Sequence, residues 1–299
     1  MTSLEIPSKI KLPSLPVVIA LFSIYFIWGA TNLGNRFALE SYPSFMLVGL
    51  RLFFAVFILM GILKGRGVSF PPLSQMLNAV FIGALMFGGR SGLLAFAQQQ
   101  NLGSGMMSLG VATVPLWAMV FAFIFGYRPS KLELAGLGIG MFGIVILNME
   151  NDMQSQPLGA IVLLFAPMVW AFGAMYSKEL TMPDGFMSTV FQMIGGCIVL
   201  FVMSFLQGEQ FPSAPTAQAT GALIFLSIGG TLIAFSAFTY LVQTVSPGLA
   251  TSYAYVNPVV AVIFGVLLFE QSMPPTGLLA MVVIGAGVVL VMIGKSKNT

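Results

Sequence analysis

The chain has 299 residues, 58% of them apolar and only 7% charged, with 12 Lys and Arg against 9 Asp and Glu. A soluble domain carries about 25% charged residues, so this composition excludes a water-soluble globular protein. The lack of histidine and the single cysteine exclude histidine-based metal sites, histidine acid–base chemistry and an internal disulfide, and the few basic residues are too dispersed for nucleic acid.

Ten apolar stretches have about the length that crosses a hydrocarbon core. They cover residues 15–36, 43–63, 76–99, 104–126, 132–149, 157–178, 186–207, 219–243, 247–269 and 275–294. The expected fold is an all-α polytopic membrane protein with ten transmembrane helices and an N-terminal tail at 1–14. Lys9 and Lys11 precede a stretch too long for a signal peptide, so helix one is expected to be retained.

Helix one presents Trp28, Thr31, Asn32 and Asn35 at spacings of three and four, on one face. Helices two and three hold Arg51 and Arg90, each roughly 12–14 Å below the outer surface at about 1.5 Å per residue. An arginine at that depth costs at least about 2.5–3.5 kcal/mol unless it finds water or a partner. Every Asp and Glu falls in or next to a loop. Each guanidinium therefore has two readings. It snorkels, or donates to carbonyls and to amides such as Gln98 or Gln192; or it lends positive potential to a cavity that receives an anionic group. Arg90 is the candidate for the cavity, whereas Arg51 reads better as a tie between helices.

Pro115 in helix four is matched by Pro258 in helix nine, and both are candidate kinks, since proline removes a helical hydrogen bond. Gly136, Gly140 and Gly143 on helix five, with Gly285 and Gly287 on helix ten, outline a packing seam and a candidate homodimer contact. Helix six contributes Trp170 and helix seven Gln192, with Cys197 as an apolar filler. Helix eight carries the stripe Ser236, Thr239, Tyr240 and Gln243; on helix nine Tyr253 and Asn257 share a face. Such stripes make interhelical hydrogen bonds or line a water-filled cavity. Their recurrence in both halves favours a cavity bordered by Trp28, Asn32, Arg90, Trp170, Gln192, Ser236, Tyr240, Tyr253 and Asn257.

The halves 15–149 and 157–294 repeat each other at an offset of about 142 residues. Trp28 and Arg36 are echoed by Trp170 and Lys178, the run 44–46 by 185–187, Gln100 by Gln243, and Gly105 and Pro115 by Gly248 and Pro258. Five spans per half is an odd number, so the second copy enters the bilayer from the opposite face. Inverted repeats of this kind build secondary transporters. With the N-terminus inside, Lys9, Lys11, Lys64, Arg66, Arg128, Lys131, Lys178, Lys295 and Lys297 all fall in inner loops. The outer loops then hold Arg36 against Glu40, Glu150, Asp152, Glu209 and Glu270, which orients both termini to the cytoplasm.

With these features the chain resembles the drug/metabolite transporter superfamily, specifically its EamA-type bacterial exporters. The resemblance is carried by Ile27-Trp28-Gly29-Ala30-Thr31, Arg51, Ala112-Thr113-Val114-Pro115, the run from Ala250 to Ala261 that contains Tyr253, Asn257 and Pro258, and then Glu270 and the region of Gly277. It implies a central cavity between helices one to four and six to nine, with five and ten peripheral, and export of metabolites, amino acids or drugs. Three positions depart from the pattern. Tyr127-Arg128-Pro129 stands where an acidic residue often closes helix four, Arg90 where a small or neutral residue is usual, and Gln98-Gln99-Gln100 is neutral where relatives can be ionisable.

The expected function is export of small organic solutes across a bacterial inner membrane by alternating access, with no cofactor and no enzymatic activity. A passive channel or facilitator for small polar solutes is the alternative. No carboxylate or histidine lies inside the membrane, so facilitated diffusion or exchange suits these residues better than a proton relay, with Glu270 near the outer surface as the exception.

Overall fold

The computed structural model describes residues 14–91, 93, 110–149, 157–269 and 276–294. Gln98, Gln99, Gln100, Gly105 and Glu270 lie outside the described residues, as does the side chain of Asn32. The described residues form ten helical stretches and no strand. These are α1 (Leu15–Ala38), α2 (Ser44–Gly65), α3 (Leu73–Gly89), α4 (Gly110–Ile124) and α5 (Lys131–Leu147), then α6 (Pro157–Tyr176), α7 (Phe186–Leu206) and α8 (Ala217–Thr244). α9 runs as Pro247–Thr251 and Tyr253–Phe269, and α10 as Gly277–Ile293. Length and apolarity alone qualify α1, α2, α7, α8 and α9 as membrane spans.

The ends of the helices reveal how the halves are related. At one end of the bundle, here the near end, Asn78 at the start of α3 donates to the Thr181 carbonyl just after α6, at 3.0 Å. The beginning of α1 packs there against the last turns of α8, and Gly294 after α10 abuts Glu133 at the start of α5. At the far end the Thr216 N–H, before α8, donates to Ser41 Oγ after α1 at 3.2 Å. α1 thus departs from the near end while α6 arrives at it; α3 and α8, and α5 and α10, are reversed in the same way. The corresponding helices run antiparallel, as an inverted repeat requires.

Packing rests on glycine where helices meet closely. A Cβ on Gly83 would strike the backbone of Gln192, and one on Gly195 the backbone of Val80, so α3 and α7 cross in direct main-chain contact. α5 and α10 form a peripheral pair in which Gly136 and Gly140 abut Gly287, and Gly143 abuts Ile284. The glycine seam therefore lies within one chain. Gly285 is not part of it and faces open space, as does Gly138. A second copy would have to meet the outer faces of these two helices.

Irregular turns fall at matching depths in the two halves. α3 and α8 each widen into a π-helical turn, beginning at Ala84 and at Leu226, the same offset of about 142 residues. α1 has a π turn over Ser23–Ile27, and α6 holds Pro167 at the position equivalent to Tyr25. α4 is interrupted at Thr113, whose N–H and hydroxyl both donate to the Gly110 carbonyl, at 3.1 and 2.7 Å. Pro115 then occupies the first turn of the regular segment Val114–Ile124, where its missing N–H has no helical partner to lose. α9 breaks at Ser252, with Pro258 inside the second piece. At both candidate kinks the interruption precedes the proline.

Candidate functional site

The wide turns expose carbonyls that ordinary helices would occupy, and side chains from the other half fill them. Trp28 Nε1 donates to the Gly230 carbonyl in the π turn of α8, at 2.7 Å. The Asn257 amide nitrogen, in the orientation that satisfies both ends of the amide, lies 3.1 Å from the carbonyls of Ile24, Tyr25 and Tyr253. Tyr25 and Ser252 join the same two helices through their hydroxyls at 2.7 Å. Inside a bilayer each freed carbonyl must find a donor, so these contacts hold α1 on α8 and α9.

Three of the nine sequence candidates, Gln192, Ser236 and Tyr240, line a cavity of about 450 Å³. It opens at the near end beside loop 177–185, where Lys178 and Asp184 stand at its mouth, and reaches inward to Met86 and Phe238. Gln192 Nε2 donates to Ser188 Oγ at 3.0 Å, and the hydroxyls of Thr189 and Thr239 meet at 2.7 Å, tying α7 to α8 along one wall. Ser236 Oγ is buried and has no hydrogen-bond partner among the described residues. Tyr240 is 38% exposed.

Four other candidates, Trp28, Arg90, Trp170 and Tyr253, gather beyond the inner end of that cavity. The repeat-related Trp28 and Trp170 meet edge to face at 6.3 Å between ring centroids. Tyr253 packs on Trp28 at 4.7 Å, and Phe238 touches Trp28, Trp170 and Tyr253 at 5.4, 5.5 and 5.7 Å. Phe87 and Phe235 complete the group at 5.6 and 6.2 Å from Trp170. These rings form an aromatic layer between the cavity and the far end. The indole N–H of Trp170 lies beside the Tyr253 hydroxyl without reaching hydrogen-bond geometry. Asn257 belongs to the helix-tying contacts instead.

The two arginines are held differently. Arg51 Nη1 donates to Asn35 Oδ1 at 3.2 Å and its Nε to Thr231 Oγ1 at 3.4 Å, so it bridges α1, α2 and α8 without using Gln192. Arg90, one turn beyond Met86 on α3, places its guanidinium over the Trp170 ring at 5.4 Å.

At the far end the close of α7 is tied to the start of α2. Gly208, at φ 68°, ends α7 in the left-handed conformation that glycine tolerates, and the Glu209 N–H donates back to the Ser204 carbonyl at 3.0 Å. The turn delivers the Glu209 carboxylate to the start of α2, where it accepts from the Phe45 and Met46 N–H groups at 3.0 and 2.8 Å. Tyr42 and Phe211 stack edge to face beside it at 6.4 Å. At the near end, Glu133 is fully buried in a capping box with Ser130 and accepts from the Tyr127 hydroxyl at 2.8 and 3.0 Å. An acidic group thus does stand at the close of α4, supplied by the next helix.

Sequence reasoning missed Phe87, Phe235, Phe238 and the loop residues at the cavity mouth. Phe235 and Phe238 flank the Ser236 stripe at a spacing of three, a signal that was available. Lys178 and Asp184 carry none, because a loop charge reads as solvated in one dimension.

Residues 15–149 and 157–293 each match the EamA-like transporter family. Over 281 residues the chain is 41% identical to the inner membrane transporter YedA of Escherichia coli strain K12, covering 94% of this chain and 92% of the relative. It is 24% identical over 303 residues to a probable amino-acid metabolite efflux pump of the same strain, covering 94% and 93%. A solved crystal structure with 19% identity superposes with a TM-score of 0.78 over 93% of this chain and 96% of that one, a likeness in fold.

Proposed function

The chain belongs to the EamA-like transporter family, and from that membership and the shape of the cavity we propose that it exports small organic solutes across the inner membrane by alternating access. The observation that carries this is the asymmetry of the bundle. A polar-lined cavity opens at one end, while among the described residues an aromatic layer and the Glu209 contact with α2 lie toward the other. With both termini in the cytoplasm, as the loop charges favour, the near end faces inward and the cavity is a loading vestibule. Gln192, Ser236 and Tyr240 contact the solute there; Trp28, Trp170 and Tyr253 form the barrier that rearranges when the far end opens. The names of the relatives, a transporter of the inner membrane and an efflux pump, support the location and the direction.

Purified protein in liposomes tests the reading with a metabolite and drug panel. The expected result is saturable uptake that accelerates when the same solute is preloaded on the other side. Ohmic single-channel currents without such counterflow would instead establish the passive channel. Cysteines at 192, 236 and 240 in a Cys197→Ala background should react with an impermeant maleimide from the near end and resist it from the far end. Equal reactivity from both ends would contradict a one-sided vestibule.

A further inference from the structure

Just beyond the inner end of the cavity Arg90 brings a positive charge that no carboxylate among the described residues matches. Among the described residues every carboxylate sits at an end of the bundle: Glu40 and Glu209 at the far end, Glu133, Glu179 and Asp184 at the near end. At the mouth stand one basic and one acidic residue, Lys178 and Asp184. Deeper in stand the guanidiniums of Arg51 on α2 and of Arg90 at the end of α3. Arg51 has its hydrogen bonds to Asn35 and Thr231. Among the described residues Arg90 makes no hydrogen bond and meets no carboxylate; its guanidinium lies over the face of Trp170, with Tyr253 also near. It is half-buried rather than sealed.

A second observation points the same way. Ser236 Oγ, in the cavity wall, is more than nine-tenths buried and without a hydrogen-bond partner among the described residues. Buried polar groups nearly always find a partner, so this orphan in the cavity, with the Arg90 charge beyond its inner end, leaves room for a polar ligand. Met86 and Phe238 supply the apolar surface next to it. We infer that the solute is an organic anion, its carboxylate or equivalent oxyanion paired with Arg90 and its apolar body lying against Met86 and Phe238. The inference rests on reading the cavity as the transport site. It adds the charge of the cargo, which that reading leaves open. An anion here also removes the desolvation penalty of Arg90, so loading and charge neutralisation are one event.

Tryptophan emission reads the binding step without flux. The chain has three tryptophans, and in a Trp117→Phe background the emission comes from Trp28 and Trp170, both in the aromatic layer. Detergent-purified protein is titrated with a series of aryl and alkyl carboxylates, 3-phenylpropionate among them, and with the matching amides. At least one carboxylate should bind saturably and at least about tenfold more tightly than its amide, the difference expected of one charge-assisted contact. Arg90→Gln should erase that preference and Arg90→Lys should keep part of it. Binding of no carboxylate in the series, equal binding of acid and amide by the unaltered chain, or an undiminished preference in Arg90→Gln would each overturn the proposal. Carboxylate binding without uptake into vesicles would sink the transport reading alone; uptake of neutral solutes with no response to carboxylates would sink only the anion assignment.

Discussion

Single atoms decide how α3 and α7 meet. Gly83 and Gly195 each leave space that the facing main chain occupies, so neither can take a methyl group unless the helices part. Gly83→Ala or Gly195→Ala should lower stability by about 1–3 kcal/mol or more, because backbone, unlike a flexible side chain, cannot move aside. Gly285→Ala is the matched control, since nothing lies within 4 Å of its added carbon. Thermal unfolding of the three variants in one detergent should give two clear falls in Tm and one unchanged value. Cavity residues behave differently: Gln192 and Ser236 make few bonds to lose, so their truncation should change solute affinity far more than Tm.

Between elements, the contact that most directly opposes opening is Glu209 on the N-terminus of α2. It joins the second half of the chain to the first through two charge-assisted hydrogen bonds at the positive end of a helix. Breaking it should cost about 0.5–2 kcal/mol, the range for helix caps. Glu209→Ala should therefore raise the far-end-open population by about two- to thirtyfold if the closed state already dominates. A cysteine in place of Leu223, buried in the far-end cluster, reports this as faster reaction with an impermeant maleimide applied from that side. An unchanged rate would assign Glu209 a purely structural role. α5 and α10 carry no such contact across the cavity. Tyr255 on α9 donates to the Leu137 carbonyl at 3.2 Å, which ties α9 to this outer pair.

For the whole molecule, the three helix pairs around the centre, α1/α6, α3/α8 and α4/α9, are irregular at matched depths, whereas α2/α7 and α5/α10 are continuous. A bundle that exchanges one opening for the other needs helices that bend in the middle and others that stay rigid. The inverted repeat supplies both sets in equivalent places. Pro167 and the π turn of α1 serve this role by different means, one removing a hydrogen bond and the other widening the turn. Pro167→Ala should leave solute affinity intact and slow turnover at least about threefold, as hinge changes do when conformational exchange limits the rate. Measuring affinity by tryptophan emission and turnover by counterflow separates the two.

The architecture was legible in one dimension because the bilayer permits so few solutions. Only continuous apolar helices satisfy the backbone in lipid, so the span ends that fall among the described residues could be read from composition within a few residues, and the odd number of spans per half dictated inversion. Trp28 and Trp170 were recognisable as partners through their shared offset, and they meet at 6.3 Å. What the sequence left open was the division of the polar and aromatic residues between cavity and barrier. Asn257 and Ser236 look equivalent as helix-stripe residues, yet one faces freed carbonyls on α1 and the other stands unpartnered in a cavity wall. Arg51 and Arg90 look equivalent by depth, yet among the described residues Arg51 donates to two side chains and Arg90 lies over a ring. Helical periodicity says which side chains share a face; the neighbours that face meets, and hence whether a donor or a charge is satisfied, arise only when helices distant in sequence pack together.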